Sequence, residues 1–172
     1  MASSIINVAK GLILYEARKY DQSLEQFGKV VELNPAFDAA YYGLALAYEQ
    51  KGLFKDAIAT SRKAIALSRH NPLKITVLAH VYAMSNAKAK AQQQLDKLEN
   101  LAKQRYVSPF HMALIYAAID EQDQAFERLQ EAYNNKDQWL VLLQVEPRLD
   151  RLRSDPRFTH LVRSMKFPLT DK

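Results

Sequence analysis

The strongest constraint in this sequence is that it repeats itself every 34 residues. Tyr48, Tyr82 and Tyr116 fall 34 apart, with the apolar Leu14 one step earlier. A second column is always small, running Gly11, Ala45, Ala79, Ala113, and so is a third, running Ser23, Ala57, Ala91, Ala125. A fourth, Phe27, Ser61, Leu95, Leu129, is apolar but for the serine, and Val30, Ala64, Leu98, Ala132 form a fifth. Lys10, Leu44, Leu78 and Met112 make a less regular column. Register held over four copies without an insertion means one supersecondary unit used four times, stacked so that neighbours bury a common core.

Within a copy the spacing is helical. Tyr41, Leu44, Ala45 and Tyr48 stand at i, i+3, i+4 and i+7, and Ala57, Ser61 and Ala64 resume the pattern after a break. The breaks fall at Lys51-Gly52-Leu53, Ser85-Asn86-Ala87 and Ile119-Asp120-Glu121. Gly and Asn suit the left-handed residue that ends a helix. With only four glycines and six prolines in 172 residues, the connections are short turns. Asn71-Pro72 and Ser108-Pro109 set a capping side chain before a proline at the first helical position, and Asn34-Pro35 closes the first copy. The pattern predicts helices over about 4–17, 20–33, 38–51, 54–69, 72–85, 88–104, 109–119 and 122–134.

Paired helices with these columns resemble the tetratricopeptide repeat. The second copy carries the resemblance best, through Tyr41, Leu44, Ala45, Tyr48, Gly52, Ala57, Ala64 and Leu67; the first shows Gly11, Tyr20, Phe27 and Pro35 but has Lys10 in the Leu column. The resemblance implies an all-α, right-handed superhelical solenoid. Its four repeats lie at about 4–37, 38–71, 72–105 and 106–137, so that residues 1–137 form the array and 138–172 a helical cap. It also implies a non-enzymatic protein-binding module in which the first helix of each repeat lines a concave groove. The corresponding positions are Val8, Leu12 and Tyr15 in the first repeat, then Tyr42, Leu46 and Glu49 in the second. Leu73, Thr76 and His80 follow in the third, and Phe110 and Leu114 in the fourth. The family's clamp for a peptide carboxylate needs basic and amide side chains in the columns of Tyr42 and Leu46, which this chain lacks. Its apolar columns imply an apolar peptide or amphipathic helix of a partner, with Tyr15 and Tyr42 as anchors. Coverage by a second copy of the chain, or filling by the Trp139–Leu143 run, are the alternatives.

One more step of 34 from Met112 lands on Glu146, so the array stops near Lys136. Glu146-Pro147 opens a helical turn carrying Leu149 and Leu152; Ser154-Asp155-Pro156 opens a helix with Phe158, Leu161, Val162 and Met165 on one face. This ending resembles the close of tetratricopeptide regions in bacterial multidomain signalling proteins, which implies a sensor or docking role.

No chemistry beyond binding is predicted. Without cysteine there is no thiolate ligand, nucleophile or disulfide. His70, His80, His111 and His160 are scattered, and no phosphate-loop or hydrolase motif is present, so no catalytic residue, metal or cofactor is expected. The sequence shows no signal peptide and no apolar run of membrane-spanning length, giving a cytoplasmic expectation without membrane contact. Residues 1–146 hold 17 Lys and Arg against 16 Asp and Glu, whereas 147–172 hold seven against three. That basic tail leaves one further reading, an adaptor touching nucleic acid or an acidic partner through its arginines, although no nucleic-acid motif accompanies it. The small columns mark close helix crossings, so Ala45→Leu or Ala79→Leu should lower the unfolding free energy by about 1 to 3 kcal/mol in denaturant titrations.

Overall fold

The computed structural model of the chain describes residues 2–165. The eight repeat helices are α1 (Ala2–Glu16), α2 (Tyr20–Leu33), α3 (Asp38–Gln50), α4 (Phe54–Leu67), α5 (Pro72–Met84), α6 (Lys88–Ala102), α7 (Pro109–Ala118) and α8 (Gln122–Asn134). They follow the predicted bounds to within two residues at each end, and no strand occurs among the described residues.

The turn inside each pair is built the same way four times. Arg18, Gly52, Asn86 and Asp120, each 34 residues after the last, have φ of 60°, 71°, 61° and 70°. The following N–H groups, of Lys19, Leu53, Ala87 and Glu121, donate to the carbonyls of Leu14, Tyr48, Tyr82 and Tyr116 at 2.8 to 2.9 Å. This is the closure that satisfies the last carbonyls of a helix. The tyrosine column of the sequence therefore marks the backbone acceptor of the turn as well as a packing position. At the pair boundaries Asn71 accepts from the Leu73 N–H and Ser108 from the His111 N–H, with proline next in both.

The two helices of a pair are not equivalent. The second helices bury a single stripe, such as Ala57, Ser61 and Ala64 on α4 or Ala91, Leu95 and Leu98 on α6. The first helices α3, α5 and α7 are buried around most of their circumference, because each is flanked on more than one side. Gly11, Ala45, Ala79 and Ala113 are all buried at the crossings. The Ser23 hydroxyl, buried on α2, donates to the Gly11 carbonyl at 2.8 Å.

The chain divides into two compact units, Met1–Val107 and Ser108–Lys172. In the first, Phe27 is fully buried between two glycines: a Cβ on Gly11 would stand 2.6 Å from its ring and one on Gly43 2.2 Å. In the second, the ending packs on the fourth helix pair through two short 3₁₀ turns, Gln138–Leu142 and Pro147–Leu152, and then α9 (Pro156–Ser164). Leu140, Leu143, Leu149, Leu152, Phe158 and Leu161 join Phe110, Leu114 and Leu129 in one core. Glu146 is buried as well, which the repeat register did not anticipate. Its carboxylate accepts from Arg148 Nε and Nη2 at 2.9 and 2.8 Å, a bidentate pair that makes burial tolerable. Residues 166–172 of the ending lie outside the described residues.

Gly43→Ala should destabilise the chain by about 1 to 3 kcal/mol in chemical denaturation. Alanine's helix propensity alone predicts a gain of about 1 kcal/mol, so the sign of the change isolates the Phe27 contact.

Candidate functional site

In the Met1–Val107 unit, the inner-face positions of three successive first helices converge. Tyr15 of α1, Tyr42 and Leu46 of α3 and Val77 and Val81 of α5 form one buried cluster, with Leu12 and Leu73 packed against it and partly exposed. Val8 lies in an adjoining cluster with Phe27 and Leu44. Tyr15, Tyr42 and Leu46 retain 2, 9 and 2% exposure, so they form the floor of this face, and Leu12 and Leu73 its accessible rim.

The polar residues of the face join α3 to α5. His80 Nδ1 lies 2.5 Å from Glu49 Oε1, with both side chains buried. The second carboxylate oxygen of Glu49 has no hydrogen-bond partner among the described residues. Thr76 is buried and donates to the Leu73 carbonyl at 2.7 Å. Sequence reasoning missed Lys74. Its ammonium sits 4.4 Å from the centre of the Tyr42 ring and 3.6 Å from Asp38 Oδ2, with 7% of the residue exposed. Burial pushes this amine below its ordinary value of 10.5, and the Asp38 carboxylate offsets part of that. The signal was available: Lys74 is the only Lys, Arg, Asp or Glu in the apolar stretch of α5.

Phe110 and Leu114 belong to the other compact unit. Both are wholly buried in the core of the Ser108–Lys172 unit, where Leu140 and Leu143 of the Trp139–Leu143 segment share their cluster. Asp137, also missed, organises that neighbourhood. Its carboxylate accepts from the Ser108 hydroxyl at 2.6 Å and from the Trp139 N–H at 3.0 Å, tying the start of α7 to the chain after α8.

Arg151, Arg153 and Arg157 of the ending are paired inside their own unit. Arg151 reaches Asp120 at 2.9 Å, Arg153 reaches Asp150 at 2.7 Å, and Arg157 binds Asp123 and Asp155 at 2.7 and 2.8 Å. The acidic turn at Asp120 and Asp123 is thus an anchor for the ending. Divided by compact unit, the charge inverts the picture drawn along the chain. Met1–Val107 holds 15 Lys and Arg against nine Asp and Glu, while Ser108–Lys172 holds nine against ten. No group of three or more His, Asp or Glu side chains among the described residues is arranged to hold a metal ion. None of their helices is long and apolar enough to cross a membrane.

Comparison with known proteins agrees with the repeat architecture. Residues 8–72 match the family model described as "Tetratricopeptide repeat". Over 130 residues the chain is 22% identical to the "TPR repeat-containing protein YpiA" of Bacillus subtilis (strain 168), an alignment covering 74% of this chain. The aligned part spans 30% of the length of that relative.

Because desolvation dominates at Lys74, Lys74→Met should raise the unfolding free energy at pH 7 by about 1 kcal/mol. An amine whose folded pKa is depressed costs stability while protonated. That cost fades as pH rises from the depressed value toward 10.5. The variant's advantage in thermal melts should therefore shrink from pH 7 to pH 10.

Proposed function

The chain carries tetratricopeptide repeats, the repeat of protein–protein interaction modules, and we propose that it holds an apolar segment of a partner against the inner face of α1, α3 and α5. The observation that carries this reading is the convergence of Leu12, Tyr15, Tyr42, Leu46 and Leu73 from three repeats into one cluster. The partner segment lies over the rim formed by Leu12 and Leu73, above an aromatic floor in which a cation stands on the Tyr42 ring. An amphipathic helix, with its polar side left to solvent, meets these requirements. Phe110 and Leu114 take no part, since the ending of the chain already covers them.

Self-association is the second reading, and α1 favours it: Ile6 and Ile13, seven residues apart, remain 67 and 64% exposed on one side of that helix. A photo-crosslinking residue at Leu73, in the full chain and in the organism that encodes it, separates the two. The expected product is an adduct with a different protein that is lost on Leu12→Asp while the melting temperature holds. An adduct of twice the chain's mass would assign the face to a second copy. No adduct at all would remove the inner face as the binding site.

A further inference from the structure

The positive charge of the Met1–Val107 unit is concentrated on the outer side of its second and third helix pairs. Residues 54–105 hold ten Lys and Arg against three Asp and Glu. Of the ten only Lys74 is buried, and the others are exposed. They fall on and just beyond α4 and α6, the helices that bury a single stripe and turn the rest to solvent.

Two contacts join the cations of α4 and α6 into one patch. Arg62 Nη2 donates to the Tyr82 hydroxyl at 2.9 Å, while Lys90 Nζ lies 5.7 Å from the centre of the same ring. At the far end Arg105 Nη2 donates to the His70 carbonyl at 3.2 Å, setting the chain after α6 beside Arg69. The repeat reinforces the patch: Lys63 and Lys97 occupy one column of successive copies, and no carboxylate among the described residues lies within 4 Å of either ammonium. In the first copy that column is Lys29, already neutralised by Glu25 at 2.6 Å, and in the fourth it is Glu131. The uncompensated charge therefore belongs to the second and third copies.

We propose that this outer face of α4 and α6 binds an acidic polypeptide segment, independently of the apolar inner face. Like charges concentrated on one surface repel one another and lower the stability of the free chain, and a carboxylate-rich partner relieves that. The spacing suits a helix. Lys55 and Arg62 on α4, and Lys90 and Lys97 on α6, stand seven residues apart, about 10.5 Å along the axis. Carboxylates recur at that step on one face of a partner helix. Nucleic-acid phosphates come far more densely, about one per 3.4 Å of each strand. Single-stranded nucleic acid calls for successive stacking aromatics along the cations, whereas Tyr82 is buried and Tyr106, next to Arg105, offers its exposed ring only at the far end of the patch.

The probe is a fluorescent helical peptide of about three heptads with Glu at every seventh position, followed by anisotropy with the full-length chain. At about 50 mM salt, Lys63→Glu combined with Lys97→Glu should weaken binding by roughly tenfold or more, and raising salt to about 200 mM should weaken the unsubstituted chain several-fold. Arg163→Glu, on the ending, should change the affinity by less than about twofold. Unchanged helicity and melting temperature confirm that the substituted chains remain folded. The proposal fails if the peptide does not bind, if the double substitution leaves affinity within about twofold, or if Arg163→Glu is as damaging. A duplex DNA of equal charge that outcompetes the peptide tenfold or more would assign the face to nucleic acid and overturn it.

Discussion

Everything in this chain depends on how closely two paired helices can approach. Gly11, Ala45, Ala79 and Ala113 are buried where the first helix of each pair meets the second, with no side chain large enough to hold the backbones apart. The left-handed residue at Arg18, Gly52, Asn86 and Asp120 then fixes the return of the chain, so each pair has one geometry. The first pair shows the constraint at its limit. Phe27 fills the space that glycines at 11 and 43 leave open, and one aromatic ring thereby locks α2 to both α1 and α3. Dispersion contacts of that closeness are individually small and collectively large, and a gap of about 0.5 to 1 Å forfeits roughly a quarter to a half of each.

Helix bounds and turn positions were legible because they are local properties. A helical spacing and an Asn-Pro or Ser-Pro boundary refer to residues within a few turns of one another, and the 34-residue period repeats that local pattern copy by copy. The inner face was legible as a set of columns: Tyr15, Tyr42, Leu46 and Leu73 do share one cluster. Their depth was not, since periodicity gives the side of a helix a residue occupies but not how near the next repeat's first helix will lie. Phe110 and Leu114 stand in the same columns, yet the 3₁₀ turns after Asp137 bring Leu140 and Leu143 into their core. Those turns carry no repeat signal.

Lone charges in apolar surroundings were the other loss. Lys74 and Glu146 both sit where the register expects no charge, and each is accommodated by a partner that sequence distance does not suggest as such. Lys74 is 36 residues from Asp38, and Glu146 is held by Arg148 only two residues on. The two cases differ in cost. The Glu146–Arg148 pair is bidentate, which compensates desolvation, whereas Lys74 has one carboxylate at 3.6 Å and a ring face, and burial prevails.

Charge shows most clearly why composition must be read through the fold. Along the chain, the basic excess gathers in the last segment, but Asp120 and Asp123 belong to the same compact unit and bind Arg151 and Arg157. What remains is the excess on α4 and α6, invisible in a division at residue 146 because the acidic fourth copy cancels it in the sum. A helix pair in this architecture offers two surfaces of unlike demands. The first helix is enclosed and must be apolar; the second, burying one stripe, is free to carry charge at every other position. Selection for folding leaves that outer surface almost unconstrained. Nine exposed cations there against three acids are accordingly a property of what the surface meets rather than of how the chain folds.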